Sequence, residues 1–160
     1  MVSYNHLLIA LSGYTLYAPS ANSTPQVLLG AALAALGSIF PDIDHPRSWV
    51  GQRVHRISFL IALIFGHRKL FHSGLALLFI WGLSILVFRG GAVFCSNAFC
   101  LGYASHLLAD WTTRQGIPVL WPLQKKFHAP LSLRTGGAME HCATLGFLAF
   151  VAWVHWRWIQ

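Results

Sequence analysis

Acidic side chains are nearly absent from this chain: Asp42, Asp44, Asp110 and Glu140 are the whole set among 160 residues. Charged residues of either sign make up only 9% of the sequence, against 56% hydrophobic. So little charge excludes a surface solvated in the ordinary way. The eleven Lys and Arg give a net charge of +7 with His neutral, but they fall in short clusters between oily runs. That is how juxtamembrane cations lie, not how the dense basic face of a nucleic-acid binder is built, so no nucleic-acid partner is expected. Cysteine is scarce too. Cys95, Cys100 and Cys142 form no C-x-x-C pair, which excludes a zinc ribbon or a disulfide framework and leaves them as small packing residues. The sequence contains no G-x-S-x-G, no Walker A loop and no G-x-G-x-x-G, so serine-triad, P-loop and dinucleotide chemistry are unsupported. The N-terminus lacks the basic start and small-residue cleavage site of a removable signal peptide.

What is abundant is apolar sequence. Residues 70–88, 92–109 and 138–159 have the length and purity of spanning helices, since about 20 apolar residues cross a bilayer. Residues 4–17 and 26–40 are shorter, about 22 Å as helix, and fit a locally thinned bilayer or a buried position. Residues 57–65 suit an interfacial or re-entrant piece. Prolines bracket the uncharged turn at 18–25, Arg89-Gly90-Gly91 reads as a tight reversal, and residues 120–137 read as a loop. Residues 47–69 carry five Lys/Arg and residues 114–134 carry four, while the turns opposite carry none and one. The positive-inside rule puts the two rich regions in the cytoplasm. The expectation is an all-α, polytopic transmembrane bundle of about five helices, one domain over residues 1–160.

The four acids all keep company with histidine. His106 and Asp110 are four apart, on one face of a helix, a spacing that delivers a nitrogen and an oxygen to one cation. The plain alternative is a His–Asp hydrogen bond fastening two helices. Asp42 and Asp44 lie in Pro41-Asp42-Ile43-Asp44-His45-Pro46. Extended backbone would send both carboxylates to one side, where like charges need a cation or a shared proton. His67 and His72 flank Arg68 and Lys69, cations suited to a phosphate or to lipid headgroups. His6 and Glu140 sit alone at helix starts. The topology brings all of these to the cytoplasmic end of the bundle.

These residues resemble the YdjM-like family of bacterial inner-membrane proteins, described as membrane-bound metal-dependent hydrolases. The likeness is carried by Asn5-His6-Leu7-Leu8, by Pro41 to Pro46, by Gly51-Gln52-Arg53, and by Gly66-His67-Arg68 with His72-Ser73. It continues through Leu101-Gly102-Tyr103, Ser105-His106, Leu108-Ala109-Asp110, Gly116, Pro118, Trp121-Pro122 and Met139-Glu140. Phe71 stands where the family has threonine, and Thr113-Arg114-Gln115-Gly116 replaces its T-P-x-G. The His-x-x-x-Asp helix is also similar, more distantly, to part of the zinc-dependent phospholipase C and nuclease pattern.

The resemblance implies metal-dependent hydrolysis of a phosphoester or related bond in a lipid or amphiphile at the cytoplasmic leaflet of the inner membrane. The ligand pool is His6, Asp42, Asp44, His67, His72, His106, Asp110 and Glu140, with His45 behind them. Asp44 or Glu140 is the expected general base, and Arg53, Arg68 and Lys69 are the expected contacts to an anionic substrate. Eight ligands exceed one tetrahedral zinc, so one or two divalent ions are expected, Zn²⁺ first and Mn²⁺ or Fe as alternatives. The rival reading is a membrane transporter or sensor that binds a metal without hydrolysis; a scaffold with a structural metal is a third.

Overall fold

A computed structural model describes residues 1–18, 23–66, 68–87, 93–123, 125–130 and 132–160. His67, the Arg89–Gly91 reversal and residues 19–22 of the first turn lie outside the described residues. The described chain is helical: α1 (Ser3–Tyr17), α2 (Thr24–Ile39), a 3₁₀ segment (Phe40–Asp44), α3 (Trp49–Arg53), α4 (His55–Phe65), α5 (Gly74–Val87), α6 (Val93–Trp111) and α7 (Ala138–Ile159). Among the described residues the strand-like pairing is limited to isolated bridges in the loop between α6 and α7, Thr113 with Leu133 and Ile117 with Phe127.

Local chemistry explains the boundaries that matter for the site. Ser23 opens α2 with a reciprocal cap: the Ser23 backbone N–H donates to Gln26 Oε1 at 2.9 Å, and Pro25 stands in the first turn, where a missing N–H costs nothing. Pro41 tightens the end of α2 into the 3₁₀ segment. Ser48 Oγ accepts from the Gly51 N–H at 2.9 Å and starts α3. Ser73 does the same for α5, accepting from the Ala76 N–H at 3.1 Å while its hydroxyl donates to the Leu70 carbonyl.

That last cap shortens the expected span at 70–88. Residues 70–73 are a turn, and α5 begins at Gly74, leaving 14 helical residues. α6 has 19 residues but spends several on polar groups turned inward, among them Ser96, His106 and Asp110. Among the described residues, two helices are long and apolar enough to cross a membrane: α2 with its 3₁₀ continuation (Thr24–Asp44) and α7 (Ala138–Ile159). α2, counted above among the short segments, gains its length from the 3₁₀ turn. Large apolar side chains point outward all the same, with Leu63, Ile64 and Phe79 each about 70% exposed, a surface suited to lipid.

At the centre α2 lies directly against α6. Ala34 and Ala98 are fully buried there, with Tyr14 of α1 closing the cluster. A Cβ added at Gly102 would fall on the Ala34 carbonyl oxygen, and one at Gly37 on the Phe99 carbonyl oxygen. Small residues let the two backbones touch, as in membrane helix pairs. This contact fixes the depth at which the end of α2 meets the end of α6, and the site forms at that meeting.

Candidate metal centre

Five side chains from four places in the chain converge: His6 near the start of α1, Asp42 in the 3₁₀ segment, His72 in the turn before α5, and His106 and Asp110 on the last two turns of α6. His6, His106 and Asp110 offer ligand atoms within 4.8 Å of one another, and so do Asp42, His72 and His106. His6, His72, His106 and Asp110 are at most 1% exposed, and the Asp42 side chain, at 17%, opens the cluster outward.

The backs of the histidines are held. His106 Nδ1 lies 2.6 Å from the Ser38 carbonyl, which can only accept, so Nδ1 carries the proton and Nε2 presents its lone pair to the cluster. His72 Nδ1 lies 3.2 Å from Asp44 Oδ2, and its Nε2 faces inward in the same way. The two Nε2 atoms stand 3.3 Å apart, too close for two bare lone pairs unless a proton or a cation lies between. His6 stacks on His106 with ring centroids 3.8 Å apart.

Asp110 is the hub. Its Oδ1 pairs with the Met1 ammonium and lies 3.5 Å from His6 Nε2. Its Oδ2 lies 3.6 Å from His72 Nε2, 3.9 Å from His106 Nε2 and 2.9 Å from Arg68 Nη2. The Arg68 contact is ionic without hydrogen-bond alignment, so Oδ2 keeps no directed partner among the described residues. His6 Nδ1 has none either. Buried, under-satisfied donors of mixed nitrogen and oxygen type are what a divalent ion would coordinate. The residues fit a metal.

Several expected roles come out differently. The Asp42–Asp44 segment is a 3₁₀ turn, not extended, and at about 120° per residue two positions apart point in different directions. Asp42 therefore enters the cluster, while Asp44, fully buried, sits behind His72 and also accepts from the Arg68 N–H at 3.0 Å. Asp44 is outside both three-residue groups found among the described residues and stands behind His72, where an orienting carboxylate would be. Glu140 is also outside both groups. Its Oε1 accepts from the Val2 N–H at 2.9 Å and from Asn5 Nδ2 at 2.6 Å, and its Oε2 accepts from the Gly136 N–H at 2.9 Å. It clamps the start of α1 to the start of α7. His45 Nδ1 accepts from the Arg47 N–H at 3.0 Å within its own turn. Arg53 lies over the Trp49 ring, 3.5 Å from its centroid, and donates to the Trp49 carbonyl, away from the cluster. Arg68 is in the site, and Lys69 lines a cavity beside it.

Ser38 and Asn5 were missed by sequence reasoning. Asn5 is a polar residue on an apolar helix next to His6, which was a usable signal; Ser38 acts through its carbonyl, which no sequence reveals.

Two predictions follow from these placements. Glu140→Gln turns an amide N–H₂ toward an N–H donor, so thermal unfolding should show a loss of about 1–3 kcal/mol. Its metal content should stay at the wild-type level; a fall would return Glu140 to the ligand set. The second concerns His72, in the turn outside α5. Burial by itself would lower its pKa, but hydrogen bonding and charge from Asp42 and Asp44 outweigh this and push it up to about 9. In chelator-treated protein that contribution to stability is full below about pH 6.5, the unfolded value, and is lost as pH rises through 9. Metal uptake needs the neutral ring and should strengthen over the same window. Melting temperatures with chelator and with added Zn²⁺ at both ends of it should therefore move in opposite directions.

The profile of the YdjM inner membrane protein family matches residues 1–160. The chain belongs to this family. It is 34% identical to the inner membrane protein YdjM of Escherichia coli (strain K12) over 96% of this chain and 83% of that one. The Shigella flexneri protein of the same name matches to the same degree. The uncharacterized protein YvsG of Bacillus subtilis (strain 168) is 32% identical over 74% of this chain and 73% of its own length. No solved structure matches. The YdjM family assignment thus covers all of the residues that build the cluster.

Proposed function

We propose that this member of the YdjM family is a multi-pass inner-membrane hydrolase that works with a divalent metal at the cytoplasmic end of a helical bundle. The observation that carries the proposal is the pair of imidazoles, His72 and His106. Each is locked from behind at Nδ1, by Asp44 and by the Ser38 carbonyl, with its Nε2 turned toward Asp42 and Asp110. A carboxylate or carbonyl behind a histidine is how metal sites hold their ligands.

His6, Asp42, His72, His106 and Asp110 would hold the ion. His106 belongs to both three-residue groups but has only Nε2 to give, since Nδ1 is engaged. That favours one ion in a single five-residue pocket; a second would need a bridging carboxylate. The donor set suits Zn²⁺, Mn²⁺ or Fe²⁺. A bound divalent ion supplies Lewis acidity and an acidified water. The chain supplies the rest. Asp42 is the cluster member that reaches the outside, so its carboxylate marks where the pocket opens, and Arg68 beside Asp110 can hold a negatively charged group. The crowding of cations into residues 47–69 and 114–134 supports the cytoplasmic orientation. The outward apolar faces of α4 and α5 support a bundle with more than two helices in the membrane.

The test is elemental analysis of protein purified in mild detergent, paired with hydrolysis of bis(p-nitrophenyl) phosphate. One bound transition metal per chain and activity abolished by chelator and restored by metal are expected. Protein that neither carries nor takes up metal overturns the proposal, as does activity indifferent to chelator.

A further inference from the structure

Next to the His/Asp cluster lies a cavity of about 350 Å³ whose charged lining, among the described residues, is basic: Arg68, Lys69 and Lys126. Its other walls are apolar, including Phe65, Trp121 and Pro122. Arg68 connects the two. Its Nη2 is 2.9 Å from Asp110, while Nε and Nη1 are buried with no partner among the described residues. A buried guanidinium with idle donors is costly. The backbone also holds Arg68 at φ 54°, a left-handed conformation that non-glycine residues rarely adopt and that clusters at functional sites.

Trp121 and Pro122 also line a second cavity, about 540 Å³, whose other walls are Phe71, Leu75, Phe79 and further apolar groups. Residues 68–69 line the first space and 70–71 the second, so the turn before α5 borders both. Phe79 is 71% exposed, so the apolar space opens on the lipid-facing surface.

We infer that the two cavities together bind one phosphate-bearing lipid, its headgroup among Arg68, Lys69 and Lys126 and its acyl chain along Trp121 and Pro122 into the apolar space. The charge decides the headgroup: three cations and no acid among the lining residues select an anion, and guanidinium donors beside ammonium groups match a phosphate. The adjoining apolar space decides the carrier, because a free anion would leave it unused. The inference rests on the metal-centre reading only for what becomes of the phosphate; binding itself uses no metal.

The experiment titrates chelator-treated full-length protein in mild detergent with dioctanoyl phosphatidic acid, dioctanoylglycerol and glycerol 1-phosphate, by calorimetry. Phosphatidic acid should bind at least about tenfold more tightly than either half-molecule. Lys126→Glu, at an exposed position, should weaken it by about tenfold, and Trp121→Ala should weaken it as well. Arg157→Glu, an exposed cation in the last turn of α7, should have no effect. Equal binding of the neutral lipid, equal binding of glycerol phosphate, an equal loss from Arg157→Glu, or no loss from Lys126→Glu each overturns the inference. Metal content is measured on the same samples. Lipid binding in protein that never takes up metal would sink the hydrolase alone, and metal-dependent activity without this lipid preference would sink the lipid site alone.

Discussion

Asp110→Asn should remove bound metal almost completely, lowering affinity by more than about a hundredfold, and should abolish any chelator-sensitive hydrolysis. The substitution keeps the shape of the side chain but takes away its charge, which three histidine nitrogens and Arg68 surround within 4 Å. Arg68 then faces an amide in a buried place, and breaking a buried pair costs about 3–5 kcal/mol. A purely structural ion pair predicts that same instability, so stability cannot separate the two accounts. His6→Ala can. It leaves the Arg68–Asp110 contact intact, removes one ligand nitrogen, and should lower metal content while the melting temperature of chelator-treated protein falls much less. Stoichiometric metal retained in both variants would mean that the cluster is no metal centre.

Gly102→Val should cost about 3 kcal/mol or more, at the upper end of overpacking effects. The added carbon meets backbone, the Ala34 carbonyl, which cannot swing aside as a flexible side chain would. The helices must separate, and the separation reaches the site: Gly102 is one turn before His106, and Ser38, whose carbonyl holds His106, follows Gly37 on the facing helix. Loss of metal should therefore accompany loss of stability, although Gly102 touches no ligand. Gly82→Ala is the comparison, since a Cβ there meets nothing within 4 Å and a helical alanine is favoured by up to about 1 kcal/mol. If Gly102→Val and Gly82→Ala unfold at the same temperature in detergent, the close α2–α6 contact is wrong.

A transporter would reach its ion from both sides of the membrane in turn, with the site near the middle. Here the cluster stands where α6 ends, where α1 begins and in the two turns that flank α3 and α4. Labelling of a cysteine placed at Asp42 from one side only would agree with the hydrolase, and labelling from both would favour transport.

Much of this was legible along the chain because polar groups are so costly in an apolar medium. Four acids in 160 residues could not be decoration, and the helical period placed His106 and Asp110 on one face. The helical class followed from long apolar runs whose backbone must satisfy itself. The division of labour among the acids was not legible. Asp42 and Asp44 are chemically identical two residues apart, and only the 3₁₀ twist turns one toward the cluster and the other behind His72. Glu140 shares its chemistry with them, yet its partners are amide donors from three other positions, brought together by the packing of α1 on α7. Residue type states what a group can bind. Which partner it meets depends on contacts between segments far apart along the chain, α1 on α7 for Glu140 and α2 on α6 for His106 and the Ser38 carbonyl.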